Sequence, residues 1–181
     1  MFSKATPYLK KGRPYDYMHT KILMGLCREI IIEEGLDEAV IVPAVIFHDI
    51  GWSLLSADVM SDFHSGGARA AHMKEGARLA ERLLRELGYP KEKTDRIVHL
   101  VSVHDNQSAG VEKELSEKDE LAVAGIDFLW RATAEGFKQG MAETGNSASE
   151  QATYLRMRAQ GRSLSPAVQK TFEHLLEERV G

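Results

Sequence analysis

The chain is nearly without cysteine: Cys27 is the single one in 181 residues. One thiol cannot close an internal bridge, so a disulfide-stapled fold is excluded and a reducing compartment is expected. Long apolar runs are missing as well. The longest, Ala39 to Phe47, falls far short of the ~18 residues of a membrane helix and contains Pro43. The lysines near the start precede no apolar stretch, so no signal peptide is read. The expected location is cytoplasmic, with no membrane partner. Positive charge is not in excess either: 23 Lys+Arg against 27 Asp+Glu leave a net −4. That balance argues against a nucleic-acid polymer as partner but leaves a nucleotide open as a small substrate. Strand-like alternation, internal repeats and low-complexity tracts are absent too.

What remains is a chain with 43% hydrophobic and 28% charged residues, ordinary for a globular protein. Its length suits one domain that buries a core without staples. Apolar residues recur at three- and four-residue spacing almost throughout, which predicts an all-α fold, a helical bundle of six to seven helices. The expected helices run from Asp16 to Glu34, stopped by Gly35, and from Asp37 to Ile50, bent or delayed by Pro43. Others cover Ala68 to Leu87, Lys91 to His104, and Ser116 to Gly140. Ser116 with Asp119 resembles a capping box. After a break at Gly145–Ser149, two more run from Ala148 to Gln160 and from Ser165–Pro166 to Arg179. Residues 15–140 would form the core and 146–181 a helical appendage of one domain. Gly51–Gly67 and Asp105–Leu115 read as loops, and the Glu112–Glu120 charge run as a solvated loop and helix start.

Seven histidines are few enough to sort one by one. His48–Asp49 ends the most apolar helix, where an unpartnered carboxylate is costly, so the pair calls for a cation or a buried hydrogen-bonded partner. His19 shares a helix face with Leu23 and Leu26. His104 shares one with Ile97, Leu100 and Val101. His72 opens a helical segment, and Asp127 sits between Ile126 and Phe128. Each can face inward. His99 lies five residues from His104, ~140° round the helix, and reads as a surface or supporting residue. His64 reads as a solvated loop residue, with entry into the pocket as the alternative, and His174 as surface. Cys27 reads as core, and Phe128 and Trp130 as core, with a wall of the substrate pocket as the alternative.

The ordered set His19, His48-Asp49-Ile50-Gly51, His72-x-x-x-Gly76-Ala77, His104 and Asp127 resembles the HD-domain metal-dependent phosphohydrolase superfamily. The resemblance covers roughly Tyr15 to Arg131. It implies that His19, His48, Asp49 and Asp127 bind a first metal, and that His72 and His104 bind a second with Asp49 bridging. His48 and Asp49 are the implied catalytic pair. The alternative is that His72 and His104 line the pocket while one metal is bound. Imidazole and carboxylate donors suit one or two divalent transition ions, Mn, Fe, Co, Ni or Zn, with Mg also admissible. The implied activity is hydrolysis of a nucleotide or other small phosphorylated metabolite by a metal-activated water. Lys74, Arg78 and Arg131 are candidates to neutralise its phosphate, and Asp105 to touch water or substrate. Trp52 departs from the Lys or His often found after the His–Asp–Ile–Gly run, and is expected to narrow the pocket. Gly88-Tyr89-Pro90 reads as a helix stop and start. Two other readings use the same residues: an oxygen-activating di-iron enzyme of the HD type, and a non-catalytic metal- or nucleotide-binding module. Self-association is left open.

Overall fold

The computed structural model describes residues 1–111 and 115–181, so residues 112–114 of the Glu112–Glu120 charge run lie outside the described residues. Among the described residues there is no strand. Nine α-helices of ten residues or more and two single turns replace the six or seven expected. The helices are α1 (Phe2–Lys11), α2 (Asp16–Glu34), α3 (Glu38–Phe47), the turn α4 (Ala57–Met60) and α5 (Gly66–Glu86). They continue as α6 (Lys91–Val103), the turn α7 (Asn106–Ala109), α8 (Lys118–Leu129), α9 (Ala134–Thr144), α10 (Ala148–Gln160) and α11 (Pro166–Val180). Two 3₁₀ segments, Ile50–Leu54 and Trp130–Ala132, join them.

The most apolar helix, α3, is central, with Val40, Ile41, Ala44, Val45, Ile46 and Phe47 all buried between α2, α6 and α8. It starts at an Asp37 cap, whose side chain accepts from the Ala39 N–H at 2.9 Å. It continues through Pro43, so the helix does not start late. Proline cannot donate to the carbonyl four residues back, so Ala39 O loses its helical partner. The Tyr89 hydroxyl replaces it, donating at 2.6 Å. Gly88-Tyr89-Pro90 therefore stops one helix, opens the next and repairs a third.

Gly35 ends α2 at φ 64°, as its position predicts. The loop expected over Gly51–Gly67 is instead a 3₁₀ segment followed by α4, and α5 starts early, behind a Ser65 cap. The 3₁₀ segment lies against α5 because both backbones are bare at the contact. A Cβ on Gly51 would collide with the His72 carbonyl and the Gly76 backbone. This contact brings Asp49 beside His72.

The expected helix from Ser116 to Gly140 is two helices. Its capping box sits one residue later than expected, since Glu120 accepts from the N–H groups of both Ser116 and Glu117. Asp119 instead pairs with Arg96. The break falls at Trp130–Ala132, where Thr133 caps α9 through the Gly136 N–H at 3.3 Å. Gly136 lies on the Trp130 carbonyl with no room for a Cβ. The break at Gly145–Ser149 occurs as expected, with Gly145 at φ 74° and a Ser147/Glu150 capping box opening α10. Phe172 and Leu176 of α11 join the same apolar core as Phe128, whose ring is 5.4 Å from that of Phe172. The sequence reading also missed α1. Its buried Ala5 and Leu9, one helical turn apart, lay it across the 3₁₀ segment at Ile50–Leu54.

Candidate metal centre

His48 and His104 each follow the last turn of an apolar helix, and each is held in the same way. His48 Nδ1 donates to the Val45 carbonyl at 2.7 Å, and His104 Nδ1 to the Val101 carbonyl at 2.9 Å. A proton committed to Nδ1 leaves a lone pair on Nε2. Both Nε2 atoms point into the interior, where His19 comes from α2, His72 from α5 and Asp127 from α8. Aromatic walls set the other two rings. Trp52 stacks on His72 with centroids 4.1 Å apart, and Trp130 stacks on His19 at 5.1 Å.

The donors form two groups that share one carboxylate. His19, His48, Asp49 and Asp127 make the first, and Asp49, His72 and His104 the second. Asp49 Oδ2 lies 3.1 Å from His48 Nε2, while its Oδ1 lies 3.5 Å from His72 Nε2. Asp127 Oδ1 is 3.0 Å from His19 Nε2 and 3.5 Å from His48 Nε2. The His19–His48 and His72–His104 Nε2 pairs are each 3.2 Å apart. Donors bound ~2.1 Å from one ion stand ~3 Å from one another, so this spacing suits ions of that bond length. The buried His and Asp side chains can therefore hold metal ions, and their mixed nitrogen and oxygen chemistry fits a divalent transition metal.

The local field favours a cation. At His48 burial works against a charge, but Asp49 and Asp127 outweigh it and raise the ring well above its ordinary 6.5. The same field that draws a proton to Nε2 draws a metal ion. At His72 burial and the neighbouring His104 push the other way and hold the ring neutral. Burial would raise Asp49, yet Arg13 and His48 overcome it and hold the carboxyl well below the usual range. Asp127 is held low too, against burial, by His19 and His48.

Arg13 was not among the expected site residues. Its Nη2 donates to Asp49 Oδ2 at 2.5 Å, and its Nε to Asp16 Oδ1 at 2.7 Å. The Arg13 backbone N–H donates to the other Asp16 oxygen at 2.7 Å. One guanidinium thus serves two buried carboxylates. Asp49 takes most of its field, and burial raises Asp16 to about 7 despite the pairing. The Arg13-x-x-Asp16 spacing, one turn apart ahead of His19, was the available sequence signal.

Trp52 corrects an expectation. Its ring is buried and does not line the cavity; its Nε1–H donates to Asp49 Oδ1 at 2.9 Å while its face covers His72. It orients ligands rather than narrowing a pocket. Lys74 and Arg78 are also placed elsewhere. Both lie on the exposed face of α5, away from the cavity, and Arg78 pairs with Glu75 at 2.9 Å. Asp105 and Arg131 do line the cavity. Asp105 is paired with Arg69 at 2.5 Å. His99 pairs with Glu120 at 2.6 Å, in a supporting place, and His174 is exposed. His64 is exposed, but on the cavity rim with its ring against Phe63. Cys27 is core, as expected.

The cavity itself holds about 270 Å³ and opens from His19, Asp49 and Asp127 toward α9 and α10. A helical scaffold that gathers four histidines and two aspartates at its centre defines a class of protein able to hold metal ions between helices. The family model for the HD domain matches residues 16–127, more than half of the chain, and the chain belongs to that family. Comparison with curated proteins found no match, and neither did comparison with solved structures.

Proposed function

We propose that this protein is a metal-dependent phosphohydrolase acting on a nucleotide or other small phosphorylated metabolite. One observation carries the reading: His19, Asp49 and Asp127 of the donor groups line a cavity that Arg13, Arg69, Arg131 and Arg158 also line. Guanidinium groups bind phosphate oxygens through paired, charge-assisted hydrogen bonds. A bound divalent ion supplies polarisation of a phosphoryl oxygen and a water acidic enough to be a nucleophile at neutral pH. The chain's own residues do the rest. Arg13 and Trp52 hold both oxygens of Asp49 toward its two histidine pairs. The Val45 and Val101 carbonyls hold His48 and His104 in the tautomer that can ligate. Trp130 packs against His19 at the cavity wall and limits water there. Arg69, pinned by Asp105, presents a positive edge for a phosphate arriving from outside.

The test is a hydrolysis screen over nucleotides and sugar phosphates with Mn, Fe, Co, Ni, Zn and Mg, alongside metal quantification. Stoichiometric transition metal and turnover are expected, and Asp49→Ala should lose both. A variant that keeps both would sink the assignment. The sharing of one carboxylate by two histidine pairs also supports a second reading, an oxygen-activating di-iron enzyme. Iron content, a paramagnetic resonance signal and substrate-dependent oxygen uptake separate it from hydrolysis. Binding without turnover of any phosphoester would favour a non-catalytic module.

A further inference from the structure

Four arginines and four carboxylates, Asp49, Asp105, Asp127 and Glu143, line the cavity, but not every arginine is paired. Arg13 is paired with Asp49 and Asp16, and Arg69 with Asp105. Arg131 and Arg158 have no carboxylate partner among the described residues. Arg158 reaches the neutral Tyr154 hydroxyl at 3.3 Å and lies over its ring. Arg131 makes no hydrogen bond to a described residue and is half-buried on the cavity wall. Burial, then the field of Arg158 and Arg69, lowers the proton affinity of Arg131, against Asp127 and Asp105. A half-buried guanidinium with no ion-pair partner favours an anion beside it.

The same cavity holds a neutral donor. Gln151 of α10 is 2% exposed and lines the same cavity. Its Oε1 accepts from Thr144 at 3.2 Å and from Asn146 at 3.1 Å, which orients the amide. The Nε2 end is left as a donor over Gly140, where a Cβ would collide with it. A fixed N–H₂ with no acceptor among the described residues suits an oxygen of a ligand. Arg131, Gln151 and Arg158 all lie beyond residue 127, outside the matched family region.

We propose that Arg131 and Arg158, with the Gln151 amide of the same cavity, form an anion subsite distinct from the His/Asp cluster. It would take the second anionic group, phosphate or carboxylate, of a small substrate whose first phosphate lies at the His/Asp cluster. The assignment of the first phosphate rests on the phosphohydrolase reading. The subsite itself can be tested without turnover.

The experiment is calorimetric titration of the full chain, loaded with Mn and desalted, using inorganic phosphate, pyrophosphate and phosphonoacetate. At least one doubly anionic probe should bind roughly tenfold or more tighter than phosphate, a gain of ~1.4 kcal/mol for one added charge-assisted contact. Pyrophosphate against phosphonoacetate tells whether the second group is phosphate or carboxylate. Arg131→Gln and Arg158→Gln should each remove most of that advantage, lowering affinity for the doubly anionic probe by a larger factor than affinity for phosphate, and Arg158→Lys should keep part of it. Circular dichroism checks that each variant folds. No advantage in the unmodified chain, or an advantage that survives both glutamine substitutions, overturns the subsite. An arginine-dependent advantage with no phosphoester turned over leaves the subsite standing and removes the phosphohydrolase reading. Turnover with no such advantage does the reverse.

Discussion

Replacing Arg13 by Met tests the electrostatic core of the site. The substitution keeps a long apolar stem against the faces of Trp52 and Tyr15, which the guanidinium carbon approaches at 4.6 and 5.1 Å. It removes the cation shared by Asp16, which is wholly buried, and Asp49, which is 3% exposed. Stripping one partner from a buried ion pair costs ~3–5 kcal/mol. For a chain of this length each kcal/mol moves the midpoint by ~2–4 °C, so the expected fall in Tm is roughly 6–20 °C. The loss should depend on pH. Asp16 already sits at about 7, above its unfolded value, so the native state binds the extra proton and stability declines as pH rises through that window. Without Arg13 the carboxyl rises further and the decline extends to higher pH. The gap between the two proteins should therefore be wider at pH near 8 than near 5, measured by thermal unfolding in chelator. Adding Mn should recover part of the loss, because an ion neutralises Asp49 but not Asp16. A fall in Tm below ~3 °C, or an equal fall at both pH values, would refute the claim that Arg13 is the shared counter-charge.

Gly51→Ala should push the 3₁₀ segment off α5 at a cost of ~1–3 kcal/mol and weaken metal binding by parting Asp49 from His72. Gly67→Ala, with nothing within 4 Å of the new Cβ, should be neutral or slightly stabilising, and equal thermal shifts for the two would count against the steric argument. Tyr89→Phe should cost ~1–3 kcal/mol by stranding the Ala39 carbonyl. The cost should shrink in a Pro43→Ala background, where the helix regains that bond, and a double-mutant cycle in denaturant reads the difference. Glu120 is lowered to about 2 because His99 and the Ser116 and Glu117 N–H groups outweigh burial. Its contribution is present above its unfolded value of ~4.3 and is lost as pH falls through about 2. Stability measured across that acid range should drop less steeply in Glu120→Gln, and parallel curves would exclude the contribution.

Part of the donor set was legible from residue types. A carboxylate at the end of an apolar helix is costly to leave unpartnered, so His48–Asp49 stood out; His19, His72, His104 and Asp127 were singled out by the order of the whole set, which resembles the HD family, and the structure gathers all six. Lys74 and Arg78 could have been set aside at that stage. They follow the inward-facing His72 by two and six residues, ~200° and ~240° round the helix, which turns both outward. Thr133 with Gly136, capping α9, was a readable sign of the break inside the expected long helix.

Local rules determined where helices start and stop, because a cap or a left-handed glycine acts within one turn: Gly35, Gly145 and Ser147 behave as their sequence context dictates. The chemistry of the donors was likewise intrinsic to their side chains. Tertiary structure alone decided what stands around them. Arg13 reaches Asp49 because α1 folds across the 3₁₀ segment. Tyr89 mends α3 from 50 residues away. Arg131, Gln151 and Arg158 line the same cavity as His19, Asp49 and Asp127 only because the chain turns back at Trp130 and again at Gly145. Such pairings come from burying apolar faces against one another, and no local spacing encodes which charges that burial brings together.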